Sequence, residues 1–214
     1  MATVTKAQLE KDVLVSETRR NNAIAELNEF KTREQERLWN MTRASEWDSR
    51  LYSFIGPVSQ GSAHECMETL GLWNRLDPGE GITVMFDSPG GGVFAGLALY
   101  DFLQELRGTG TQITTVVRGM AASMGGILMQ AGDERVIGRN AHMLIHEVSS
   151  GSIGKVSDQE DNLKFTKRLQ DRCVAILAER STMSGAQIKT KWKKTDWWLD
   201  APECVKFGFA DRIG

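Results

Sequence analysis

The chain has 214 residues, enough for one sizeable α/β domain and an appendage. Charged residues make up 25% and hydrophobic ones 41%, and the formal net charge of −2 offers no basic surface for nucleic acid. Cys66, Cys173 and Cys204 are far apart with no CxxC pair, which points to reduced structural thiols in a cytoplasmic setting; Lys6, Glu10, Lys11 and Asp12 break up any signal peptide, and no apolar run approaches the ~20 residues of a membrane span.

Residues 1–42 contain no Gly or Pro and carry equal numbers of basic and acidic side chains. The apolar positions are sparse: Leu9, Val13, Ala23, Ile24, Leu27, Phe30 and Leu38. Good helix formers dominate, and Glu29 and Arg33 are spaced for an i,i+4 pair, so one or two charged helices are expected, as a solvated arm or a docking helix. The compact domain is expected from residue 43 to 214, with its first strand at 51–55 ending at Gly56-Pro57. The spacing of Cys66, Met67, Leu70 and Trp73 predicts a helix over 62–76. A strand over 82–86 leads into the turn Asp87-Ser88-Pro89-Gly90-Gly91-Gly92, followed by a helix over 93–106 packing through Ala95, Leu97, Ala98, Tyr100 and Phe102. The β-branched run 113–117 is a buried strand that leads into Gly119-Met120-Ala121-Ala122-Ser123-Met124-Gly125-Gly126 and a helix to Gly132. Short extended segments follow at 135–138 and 143–146. A long helix is expected over 157–180 with Ser157 as N-cap, then a helix over 182–193, an extended 196–199 and a short helix over 201–207. Trp192, Trp197 and Trp198 suggest a packed or contact-making surface. Alternating strands and helices predict an α/β fold with a mainly parallel sheet.

Ser123 stands between a strand and a helix among small residues, so its hydroxyl and the next backbone N–H can face one way while a substrate backbone comes close. The glycine turn at 90–92 brings a second set of N–H groups to a strand end, where α/β folds place ligands. A serine needs a base, and there are three histidines. His64 falls within a helix and reads as structural or surface. His146 ends a strand and enters a Ser/Gly loop, as a sheet-edge base would; His142, four residues earlier, is its rival. The two have neither an HExxH pattern nor a third ligand for zinc. Among the acids, Asp158, Glu160, Asp196 and Asp200 stay open on spacing alone.

Four segments in one order resemble the Clp protease proteolytic-subunit family, ClpP: Ser88-Pro89-Gly90-Gly91, Gly119 to Gly125, Met143-Leu144-Ile145-His146, and the tail from Asp196-Trp197-Trp198-Leu199-Asp200-Ala201-Pro202-Glu203 to Asp211. The resemblance covers about Arg50 to Ile213. It implies a ClpP/crotonase-like fold with a long handle helix at 157–180, the charged arm 1–42 standing in place of an axial hairpin. It implies a serine endopeptidase acting on unfolded or partner proteins inside a ring-shaped homo-oligomer, a heptameric ring or double ring in the cytoplasm. By that resemblance Ser123 is the nucleophile, His146 the general base and Asp196 the acid that orients it. Gly91 and Met124 give the oxyanion-hole N–H groups, and Gly92 and Val93 lie on the substrate side. No metal or organic cofactor is implied.

The chain departs from the pattern where the family's unfoldase partner docks: Thr83, Met85 and Val136 stand at positions rich in aromatics. Thr195 replaces an arginine used between rings. These departures favour a divergent member acting without a Clp-type ATPase, one version being a phage capsid-maturation (prohead) protease. Other readings are an acyl-CoA enzyme of crotonase type, an inactive assembly or scaffold protein on a protease fold, and a Ser/Lys dyad using Lys155.

Overall fold

A computed structural model describes residues 6–46, 49–193 and 195–214, with the side chains of the first helix described for residues 14–35. The chain divides into two units, Met1–Ser49 and Arg50–Gly214. The first is built on one helix, α1 (Lys6–Glu46), because nothing in those 41 residues breaks it. Its described side chains are all exposed, Leu14, Ile24, Leu27 and Phe30 among them, and Arg33 pairs with Glu29 at 3.1 Å as its spacing predicts. Leu9, Val13 and Leu38 lie outside the described side chains.

The second unit runs β1 (Leu51–Ile55), α2 (Gln60–Leu76), β2 (Ile82–Ser88), α3 (Val93–Gly108), β3 (Ile113–Ala122), α4 (Met124–Met129), β4 (Glu134–Ile137), β5 (His142–Ile145), α5 (Val156–Glu179), α6 (Gly185–Lys191), β6 (Trp197–Leu199), α7 (Ala201–Lys206) and β7 (Arg212–Ile213). The seven strands form one sheet with the path β1-β2-β3-β4-β7, every neighbour parallel. The central strand β3 changes partner along its length. Thr114 to Val117 pair with β4, whereas Met120 to Ala122 pair with β5, and β6 adds to β5 antiparallel. Gly119 sits at the switch with φ +73°, where a Cβ would come within 2.5 Å of Asp87 Oδ1. That carboxylate accepts the Met120 N–H at 3.1 Å, tying the end of β2 to the diverging half of β3.

Strand alternation builds the core. Ile82, Val84 and Phe86 of β2 and Ile113, Thr115 and Val117 of β3 are buried on one face. Leu99 and Leu103 of α3 and Leu70 and Trp73 of α2 bury their apolar stripes, and each such side chain is worth about 1.5–3 kcal/mol.

Several elements differ from expectation for local reasons. α2 starts at Gln60 because Ser59 caps it, accepting from Ser62 N at 3.1 Å. α5 starts at Val156, so Ser157 lies inside the helix and is not its cap; Lys155 holds the N-cap position, its N–H donating to Asp158 at 3.2 Å. α6 is shorter than expected because Ser184 is its N-cap. Ala98 is exposed, and Leu99 is buried instead. β7 has only two residues and escapes a periodicity argument. Trp192 is buried, Trp197 packs edge-on against Phe207 and Phe209, and Trp198 is exposed.

Candidate active site

Ser123 lies between β3 and α4 with φ 53° and ψ −119°, a left-handed conformation that costs a residue with a Cβ of order 1–3 kcal/mol. Neighbouring bonds hold it there: its N–H donates to Leu144 O at 2.9 Å, and its carbonyl accepts from Gly126 N at 3.0 Å. The residue thus stands on a sharp strand-to-helix turn, the backbone arrangement that can expose a hydroxyl at a strand end. Met124 opens α4, so its N–H has no acceptor within the helix by position. Its side chain is buried against Gly96 of α3.

The glycine turn after β2 packs directly on this serine. A Cβ on Gly90 would lie 2.6 Å from Ser123 Cβ and 3.0 Å from Met124 N. Gly90 and Gly91 have φ +89° and +149°, and a Cβ on Gly91 would run into Val58 O. Val58 N donates to Gly90 O and Gly92 N to Val58 O, both at 2.8 Å, which leaves the Gly91 N–H outside this bridge. Gly92 is the N-cap of α3, and its carbonyl accepts from Gly96 N at 3.0 Å.

Gly91, Val93, Ser123, Met124 and His146 line one cleft, walled further by Ile127, Ile145, Cys173, Leu177 and Trp192. His146 also lines a second cleft with Glu147, Trp192, Thr195 and Asp196. The sheet explains this meeting. β5 and β6 pair Met143 with Leu199 and Ile145 with Trp197, and the register carried one residue further sets His146 opposite Asp196. Among the described residues no hydrogen bond joins Ser123, His146 and Asp196 to one another; in hydrolases such bonds often tighten only around substrate.

The rival residues lie elsewhere. His142 is exposed, pairs with Met120 and lines neither cleft; His64 is exposed beside Glu68, 3.5 Å away. Lys155 lines neither cleft. Among the described residues no group of three His, Cys, Asp or Glu side chains could hold a metal ion. Asp200 caps α7, accepting from Glu203 N at 2.8 Å.

The apolar walls were not singled out by sequence reasoning. Cys173, Val174 and Leu177 form a buried i, i+1, i+4 stripe on α5, a signal that was present but pointed only to packing. Burial raises the Cys173 thiol pKa despite the neighbouring Arg172 charge, so the thiol in this cleft is a small apolar wall. Trp192 was legible only as part of a tryptophan-rich packed or contact-making surface, not as a wall of this cleft.

Comparison with known proteins points to one family. The sequence model of the Clp protease family matches residues 34–214. An ATP-dependent Clp protease proteolytic subunit from Porphyromonas gingivalis is 33% identical over 163 residues, 75% of this chain and 72% of that protein. An ATP-dependent Clp protease proteolytic subunit 2 from Tropheryma whipplei is 36% identical over 153 residues, 71% of this chain and 83% of that protein.

Proposed function

Because the chain belongs to the Clp protease family and is a serine-type peptidase, we propose that Ser123, His146 and Asp196 are its catalytic triad. Ser123 Oγ attacks the carbonyl carbon of a peptide bond while His146 takes the hydroxyl proton. The N–H groups of Gly91 and Met124 stabilise the negative oxygen of the tetrahedral intermediate. His146 then passes its proton to the leaving amine, and water, deprotonated by the same imidazole, releases the acyl group from Ser123. Asp196 orients the imidazole and stabilises its charged form. Val93 supplies an apolar wall for the substrate side chain, with the bare backbone of Gly92 beside it. The observation that carries this reading is that His146 borders two clefts at once, one with Ser123, Gly91 and Met124 and the other with Asp196.

The substrates on this reading are unfolded or partner proteins, and the working form is a ring-shaped homo-oligomer. Both named relatives are described as ATP-dependent. For this chain docking of a Clp-type ATPase is weak, because Val136 is buried and Thr83 and Met85 supply no aromatic anchor. Nucleotide-dependent capture of such an ATPase in a pull-down is the outcome that removes this last part.

The test is the oligomeric mass of the purified full chain, with fluorophosphonate labelling on the same peak. A large species labelled only when Ser123 is present is expected, with Ser123→Ala unlabelled. Labelling that survives Ser123→Ala, or full peptidase activity in His146→Ala, overturns the triad.

A further inference from the structure

Trp192 is 2% exposed, yet it lines both clefts of the site. Among the described residues His146 is the only other one the two clefts share. Trp192 and His146 therefore stand between the side that holds Ser123 and the side that holds Asp196. The backbone of Trp192 is fixed at the end of α6: its N–H donates to Ile188 O at 3.2 Å, and Ile188 is fully buried. Its carbonyl accepts the Thr195 N–H at 3.1 Å, one residue before Asp196. One residue thus shares both clefts with the base and, through its backbone, sets the turn that precedes the acid. Among the described residues no hydrogen bond joins the imidazole to Ser123 or Asp196 in the free chain, so before substrate binds the residues packed beside the ring share with Asp196 in setting its orientation. A buried indole has only two side-chain torsions and makes a rigid wall.

We propose that Trp192 is a positioning residue: its indole holds the His146 ring between Ser123 and Asp196. The proposal rests on the triad reading above. The alternative role for the same side chain is a wall that limits the size of the substrate side chain, which acts on binding and not on the base.

The experiment compares the full wild-type chain with Trp192→Phe, Trp192→Leu and Trp192→Ala. It measures kcat and KM on a peptide substrate from pH 5 to 9, the fluorophosphonate labelling rate, and the unfolding temperature. In Trp192→Ala, kcat and labelling are expected to fall about 10²-fold, the scale of an ångström-sized misplacement of a reacting group. KM stays within about twofold by the same argument, the acid limb of the pH–rate profile moves, and Trp192→Phe recovers most of the rate. If Trp192→Ala does not fold, Trp192→Leu decides: a slow, well-folded leucine variant supports the proposal, and wild-type kcat in it overturns it. Unchanged kcat and labelling with an altered KM or a wider choice of substrate side chains also overturns it, making Trp192 a pocket wall. In that case wild-type labelling at Ser123 persists and the triad stands; a wild-type chain that does not label at Ser123 removes the triad and the proposal together.

Discussion

Ser123 and its glycine neighbours place a cost on the fold that the proposed chemistry explains. The φ 53°, ψ −119° of Ser123 is a conformation that glycine adopts freely and other residues resist. Ser123→Gly is therefore expected to abolish activity while stabilising the chain by about 1 kcal/mol, raising Tm by about 2–4 °C in a domain of this size. Calorimetry of the two chains checks it, and a lower Tm in the variant contradicts the strain. The glycine turn gives the opposite case. Gly91→Ala puts a Cβ against Val58 O at a φ of +149°, so the backbone has to move. On the proposed reading its N–H then leaves the oxyanion hole, and loss of one such donor costs about 10²–10³ in kcat. Single-turnover labelling of Gly91→Ala should slow on that scale while Ser123 remains present; labelling at the wild-type rate would show that the Gly91 N–H is not used.

At the scale of elements, the parts legible in the sequence are those set by local chemistry. The strands at 51–55 and 82–86 and the helices after them follow from periodicity and the Gly/Pro turns between them. The strand-to-helix junction that carries Ser123 was legible because small residues and glycines crowd it. The meeting of His146 and Asp196 was not, since it depends on an antiparallel β5–β6 pairing between segments about fifty residues apart. Spacing left Asp158, Glu160 and Asp200 as open as Asp196, and only the family resemblance chose among them. The exchange of partners along β3 was likewise illegible, because the pattern of β3 does not say which strand lies beside it. Asp200 now has a structural duty. It accepts from Glu203 N at 2.8 Å, while its own N–H donates to Glu203 at 3.1 Å, a reciprocal cap on the helix that follows β6. Asp200→Ala should cost about 1 kcal/mol of stability with kcat largely kept, whereas Asp196→Asn should leave stability and lower kcat by orders of magnitude. Denaturant unfolding and kinetics on the two variants separate the two acids; the reverse pattern would exchange their roles.

The second unit as a whole is closed by a charge network around its C-terminus. The Arg135 side chain is 3% exposed, and it donates through Nε and Nη2 to Asp211 at 3.1 and 2.6 Å and through Nη1 to Gln130 at 2.7 Å. Gln130 in turn donates to Phe209 O at 3.1 Å, and Arg180, at the end of α5, donates to the carbonyls of Gly132 and Asp133 and pairs with Asp211 at 3.6 Å. β4, β7 and the end of α5 are held together through one carboxylate. Burial alone would raise the Asp211 pKa, but the hydrogen bonds and charge of Arg135, with the charge of Arg180, outweigh it and hold it below the ordinary 3.8. A carboxyl with a depressed folded-state pKa contributes stability that is fully present above its unfolded value and is lost as pH falls through the folded one. Acid should therefore weaken this closure only below about pH 4. Asp211→Asn removes the charge at every pH and leaves Arg135 buried without its counter-ion. Breaking a buried pair costs about 3–5 kcal/mol, and the lower end applies because water reaches and screens part of the carboxylate. At neutral pH the variant should unfold about 6–12 °C below the wild type. The gap should narrow once the pH drops below 4, because the wild type then loses the same charge. Thermal unfolding of both chains from pH 7 to pH 3 measures it, and a gap that stays constant across that range would mean that Asp211 acts by shape and not by charge.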